Sequence, residues 1–234
     1  MAPVVSEEYK RKKKREILDS ALHCFAKKGF QTATIDDIVA HSKISKGAIY
    51  NYFKSKEEIY LALMNEETEA MNRLLSEKIS TFQTALEKMQ YLFDLYRNGN
   101  PYHAARFDSV VVHYEFRLFA LRDVKLQQHL KERSNTFFIE IVTNILEEGK
   151  KTGEFKSYLH TEVAVNLFWA LIDGAILQAV ANKEFPYEEV IEQSKWMYLH
   201  QILSNPPVPS QVENRMGELE KTELFMDRIF LSLL

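Results

Sequence analysis

Apolar residues return every three to four positions along most of this chain, and no stretch shows the alternation and turn signals of paired strands. After a loose tail to about residue 9, Ile17, Leu18, Ala21, Cys24 and Phe25 fall at helical spacing. That helix is predicted to end at Lys27-Lys28-Gly29, because lysines suit the negative end of the helix dipole and glycine terminates well. Thr34 and Asp37 then make a Thr-x-x-Asp start for a helix of about two turns, with Ile35, Ile38 and Val39 turned inward. Ser45 is placed to cap a third short helix reaching about Phe53. Ser55 is placed to cap a fourth, with Glu58 at its capping-box position, and nothing breaks that helix before about Ser80. Further amphipathic helices are predicted over 84–98, 103–121, 123–150, 161–181 and 187–204. "NPPVP" at 205–209 is a rigid extended break. The tail beyond it sets Val212, Met216, Leu219, Met226, Ile229, Phe230 and Leu233 on one helical face. The expected fold class is all-α, in three parts: a head over 1–55 with a basic arm, a larger helical body over 56–204, and a proline-rich break with an amphipathic helix over 205–234.

Composition narrows the setting. Hydrophobic residues at 46% and charged residues at 27% are ordinary for a soluble globular chain. The single cysteine, Cys24, excludes an internal disulfide framework and fits a reducing cytoplasm. No uninterrupted apolar run approaches the roughly 18 residues of a membrane span, and "MAPVVSEEYKRKKKR" is not followed by an apolar signal core. A cytoplasmic protein with no membrane partner is therefore expected. Charge is unevenly spread: residues 1–60 hold 12 Lys/Arg against 8 Asp/Glu, and residues 61–234 hold 18 against 25. A basic front on an acidic body is what a nucleic-acid-binding head would give, although surface charge also fluctuates along any chain.

The stretch "ISKGAIYNYFKSKEEIY", residues 44–60, carries the candidate chemistry. Two short helices joined by a tight turn, the second with a capped start, form a helix-turn-helix whose second helix enters the major groove of double-stranded DNA by its N-terminal end. That end must be slim, which Gly47 and Ala48 allow, and must offer donors, which Ser45 and Lys46 provide. Tyr50 and Tyr52 carry hydroxyls on rigid rings that can reach phosphate oxygens. Asn51 either approaches a base edge or sits toward the preceding helix. Thr34 and Lys56 lie at helix starts, where free backbone N–H groups favour phosphate. The six consecutive basic residues Lys10–Arg15 either follow the DNA backbone or form a solvated first helical turn.

These residues resemble a family. "FAKKGFQTATIDDIVAHSKISKGAIYNYFKSKEEIYLAL", residues 25–63, is similar to the DNA-binding region of TetR-type transcriptional regulators. The likeness rests on the aromatic residue after Gly29, the Thr32/Thr34 pair, Ile38, and the run Ser45-Lys46-Gly47-x-Ile49-Tyr50-x-Tyr52-Phe53-x-x-Lys56. It implies a three-helix head, a long fourth helix into the body, and a homodimer on a near-palindromic operator. One position departs from the family pattern: the turn usually made by glycine is Lys43 here. A left-handed residue that is not Gly, Asn or Asp costs about 1–2 kcal/mol.

The body's aromatic residues are core-forming material in themselves. The resemblance implies an effector cavity among the middle helices for a small apolar or amphipathic molecule, with Phe107, Val111, Tyr114, Glu115, Phe137, Trp169 and Asp173 as candidate lining. Glu115 and Asp173 stand in apolar helical surroundings, and a buried carboxylate needs a partner. That partner is either a ligand group or one of Arg106, Arg117 and His113. By the same resemblance the last two body helices form the dimer interface, through Val165, Phe168, Ile172, Ile176, Trp196, Leu199 and Leu203; without it they read as core helices. The histidines show no metal-ligand spacing, and no phosphate loop, dinucleotide fingerprint or nucleophile elbow occurs. No metal, cofactor or catalytic role is expected. The expected function is a repressor released from DNA by its effector. A DNA-binding regulator whose body serves only dimerisation or a protein partner stands as the alternative, and a helical enzyme or carrier with a vestigial head as the more distant one.

Overall fold

The structure, a computed structural model, describes residues 6–99, 101–102 and 104–206; the side chains of residues 67, 70, 71, 104–106 and 137 lie outside that description. The described chain is helical: α1 Glu7–Lys28, α2 Ile35–Ser42, α3 Lys46–Tyr50, α4 Lys56–Ile79, α5 Ala85–Asn98, α6 Ala104–Ala120, α7 Val124–Ser134, α8 Glu140–Thr152, α9 Thr161–Ala181 and α10 Tyr187–Ile202. Phe155 and Leu203 make one isolated antiparallel bridge. The helix predicted beyond Pro209 lies outside the described residues.

Local signals account for most boundaries. Ser6 caps α1, accepting the amide of Tyr9 at 3.2 Å, so Lys10–Arg15 belong to the helix rather than to a tail. Thr34 and Asp37 form a full capping box at α2. Asp37 also accepts Lys28 Nζ at 2.6 Å; that ion pair, then the Thr34 amide and hydroxyl, hold its carboxyl down at about 2. Ser45 and Ser55 cap α3 and α4 through the amides of Ala48 and Glu58. The α3 helix stops at Tyr50, short of the predicted Phe53, and a tight turn follows in which the Tyr52 amide donates to Ile49 O at 2.9 Å. The stretch predicted as one helix over 123–150 contains a π-helical turn, Asn135–Ile139, between α7 and α8. Such turns recur at functional sites.

Two apolar cores organise the chain. The body core is built on α5, α8, α9 and α10, with edge-on rings such as Phe93 against Phe168 at 4.9 Å. The head core contains the expected Phe25, Ile38, Ile49 and Phe53, together with Ile17, Leu18 and Phe30. It is not closed by the head's own helices. Tyr60 and Leu63 of α4 and Val112, Phe116 and Ala120 of α6 complete it, with the Phe116 ring 4.9 Å from Phe30 and 4.6 Å from Tyr60. Body helix α6 is thereby part of the head's packing.

Among the described residues, α9 alone is long and apolar enough to cross a membrane by length and composition, which no uninterrupted run in the sequence announces. It is apolar on two faces. Val165, Phe168, Ile172, Ile176 and Ala179 are buried in the body core, while Val163 is 66% and Leu177 49% exposed on the other side.

Candidate functional site

The head turns the polar side of α3 outward. Ile49 anchors the helix in the core, and Ser45, Lys46, Gly47, Tyr50 and Asn51 are exposed, with Ala48 and Tyr52 half-buried beside them. Lys46 pairs with Asp36 at 2.8 Å, which brings the start of α3 beside the first turn of α2, where Thr34 is exposed. A Cβ on Gly47 would meet nothing within 4 Å, so internal packing makes no demand for glycine there. Any demand comes from what approaches α3 from outside. Lys43 adopts the expected left-handed conformation, φ 58° and ψ 17°, with its amide donating to Val39 O at 2.9 Å. The turn therefore keeps its shape without glycine.

Lys56 has a different role from the one anticipated for its side chain. Its ammonium donates to the carbonyls of Phe30 at 2.8 Å, Gln31 at 2.8 Å and Ala33 at 3.1 Å, and lies 4.8 Å from the Phe30 ring centre. All three donors of an ammonium close the α1–α2 turn onto the start of α4. What Lys56 has left for an anion is its backbone N–H in the first turn of α4, where no intrahelical acceptor exists.

In the body, α6 serves three directions. Val112, Phe116 and Ala120 face the head core. Glu115 joins them: its Oε2 accepts the Phe30 amide at 2.6 Å, and a Cβ on Gly29 would stand 2.9 Å from that oxygen. With φ 77°, Gly29 has both a backbone and a packing reason to be glycine. Glu115 is thus a head–body tie and not an effector ligand, because its carboxylate is spent on the α1–α2 turn. Tyr114 faces α9, its hydroxyl bonded to Asp173; burial, then the Asp173 charge, raise its pKa. His113 and Arg117, one turn apart, face a third way.

That third face borders a half-open cavity of about 270 Å³ between α6, α7, the π turn and α9. Trp169 and Asp173 line it as anticipated. Phe107 and Val111 do not, and the Phe137 side chain lies outside the described residues. The sequence reading missed Leu130, Lys131, Arg133, Ser134 and Phe138 on the lining, and placed His113 and Arg117 only as carboxylate partners. Spacing offered one signal for them: Leu130 and Ser134, and Arg133 and Phe138, share faces only if the π turn is counted.

Arg117 holds Asp173 with two parallel bonds, Nη1 to Oδ1 at 3.0 Å and Nη2 to Oδ2 at 2.9 Å, the strong bidentate arrangement. Arg133 is buried. Its guanidinium lies 5.0 Å from the Phe138 ring centre and donates to Thr68 Oγ1 on α4. His113 is 4% exposed, and burial, then the Arg133 and Arg117 charges, hold its imidazole well below the ordinary range. It is neutral. His113 Nε2 and Trp169 Nε1 are buried without a hydrogen-bond partner, a state that costs about 1–3 kcal/mol per group. The other cleft, between α1, α4 and α6, measures only about 20 Å³, room for a single water.

The anticipated dimer-interface residues are a correction. Val165, Phe168, Ile172, Ile176, Leu199 and Leu203 are buried inside the protomer, and Trp196 is half-buried with its ring stacked 5.2 Å from His200. They read as an apolar face, but it is the face α9 and α10 turn to α5 and α8. The faces left open carry Val163, Ala170, Gly174 and Leu177 on α9 and Met197 on α10.

A capped helix-turn-helix packed on a helical body defines a DNA-binding regulator. Residues 17–63 match the model of bacterial regulatory proteins of the tetR family, and residues 104–185 match the tetracyclin repressor-like C-terminal domain. Together these matches span more than half of the chain, which belongs to the TetR family of transcriptional regulators. YfiR of Bacillus subtilis, described as an uncharacterized HTH-type transcriptional regulator, is 28% identical over 205 residues, covering 87% of this chain and 98% of YfiR. The fold is also that of the transcriptional regulator FadR from Bacillus subtilis in complex with stearoyl-CoA, with a TM-score of 0.69 at 24% identity, covering 80% of this chain and 98% of that one. A Saccharomonospora viridis regulator in complex with choline matches with a TM-score of 0.70 at 19% identity, covering 83% and 100%. An acyl thioester and a small cation thus sit in proteins of one fold, and the lining residues must decide the ligand.

Proposed function

We propose that this TetR-family regulator is a homodimeric repressor, released from a near-palindromic operator when a small molecule enters the α6–α9 cavity. The observation that carries this reading is the double engagement of α6. One helix borders the cavity through His113 and Arg117 and closes the head core through Phe116 and the Glu115–Phe30 bond. A ligand that displaces α6 must therefore move the head. It shifts the balance only by binding the two arrangements unequally.

In this reading Ser45, Lys46, Gly47, Ala48, Tyr50 and Asn51 face the major groove, and Tyr52, Thr34 and the Lys56 amide meet phosphates. Lys46 exchanges Asp36 for DNA, a cheap step between exposed side chains. Two heads read successive major grooves only if their spacing is about 34–36 Å or a multiple of it. The open apolar face of α9, with small residues at 170 and 174, supports self-association by close helix approach. A cavity of about 270 Å³ favours an effector-gated body over one used for dimerisation alone.

The test is fluorescence anisotropy of the full chain against DNA from upstream of its own gene, beside an unrelated duplex, at several salt concentrations. The expected result is saturable binding to the upstream DNA alone, at two protomers or a multiple per site. Equal, steeply salt-dependent binding to both duplexes would contradict a sequence-specific repressor acting at that DNA.

A further inference from the structure

Resting on that reading of the cavity as the effector site, we infer that it takes an amphipathic anion: a short apolar chain ending in a carboxylate or phosphate, with Arg133 as the residue that selects the charge. The lining divides by chemistry. Leu130, Phe138 and the Trp169 ring make an apolar wall, and Arg117, Lys131 and Arg133 stand around it. Asp173 is the only carboxylate on the lining, and Arg117 already holds it with both of its oxygens. Two positive charges are left over.

The unpartnered atoms point the same way. Trp169 Nε1 can only donate, and it is buried with no acceptor. His113 Nε2, equally unpartnered, belongs to a neutral ring already pressed by two guanidinium groups. An anion oxygen supplies the acceptor and offsets the excess charge, whereas a cation meets Arg133 and Lys131 unshielded. Arg133 is the better selector because it is buried, where a charge-assisted bond is strongest. Lys131 is exposed and adds a screened attraction. The volume holds on the order of nine groups the size of a water at roughly 30 Å³ each, which fits a chain of about eight carbons.

The experiment is isothermal titration calorimetry on the full chain, without DNA, using octanoate, octyl phosphate, 1-octanol and octylamine. At least one anion is expected to bind about tenfold or more tightly than 1-octanol, and octylamine more weakly still. Octyl phosphate as the tighter anion assigns a phosphate head group; octanoate as the tighter assigns a free acid. Equal affinity for 1-octanol, or no binding of either anion, overturns the inference. Arg133→Met keeps the stem over Phe138 and removes the charge, so anion affinity is expected to fall about tenfold while that for 1-octanol holds. Because Arg133 also bonds Thr68, Lys131→Met is the companion: it is expected to lower anion affinity several-fold at an unchanged melting temperature. Anion affinity untouched by both variants would overturn the inference. A parallel arm with operator DNA separates the two readings. Anion binding that leaves DNA affinity unchanged refutes release and leaves this assignment standing. Release by 1-octanol but by neither anion does the reverse.

Discussion

At the residue scale, the sequence reading succeeds where a side chain acts on its own turn and fails where its partner is distant. Thr34, Ser45 and Ser55 cap helices within three residues, and each was legible. Lys43 was legible as a left-handed turn because the flanking helices fix where the turn must be. Lys56 was not, since its carbonyl partners lie up to 26 residues upstream and its position at a helix start matches a phosphate contact equally well. The two roles separate by experiment. Lys56→Met removes the ammonium and keeps the stem. We expect a lower melting temperature, from three carbonyls losing their donor, and an unchanged slope of log affinity against log salt. A phosphate-bound ammonium would instead reduce that slope by about 0.9. Measuring DNA affinity at four salt concentrations beside a thermal melt decides between them.

At the scale of elements, helix existence was legible from the apolar period, but which face of a helix meets what was legible only for helices with a single apolar face. The α5 and α8 helices each have one. The α9 helix does not, and its core stripe was assigned to the dimer because nothing in the pattern ranks Phe168 against Leu177. The π turn was hidden for a related reason: one added residue shifts the apolar face by about 100° without breaking the helix. If α9's open face is where two protomers meet, Leu177→Glu is expected to give a folded monomer in sedimentation equilibrium, with operator affinity reduced far more than head stability. A like charge facing its own copy across a twofold axis is destabilising on both sides of the contact. A dimer that persists would place the interface elsewhere than on α9.

At the scale of the whole molecule, head and body are tied at two places, both invisible in sequence because each joins residues far apart in the chain. One is Arg133 on Thr68 of α4, 65 residues apart; the other is Glu115 on the Phe30 amide, 85 residues apart. The Glu115 tie is the sharper, since the carboxylate, the turn glycine and the Phe116–Phe30 ring contact occupy one spot. It also makes the head's stability depend on where α6 stands, which is what a cavity ligand would have to exploit. Glu115→Ala leaves the Phe30 N–H without its acceptor, a loss of about 1–3 kcal/mol if water does not replace it. Local opening of the α1–α2 turn should become easier by that amount, about tenfold in exchange rate per 1.4 kcal/mol. Hydrogen-exchange mass spectrometry is the measurement. Faster exchange confined to peptides containing Phe30 and the flanking ends of α1 and α2, with α9 and α10 unchanged, is the expected outcome. Uniformly faster exchange would make Glu115 a general stability residue, and unchanged exchange would show that the aromatic contacts of Phe116 alone hold the head to α6.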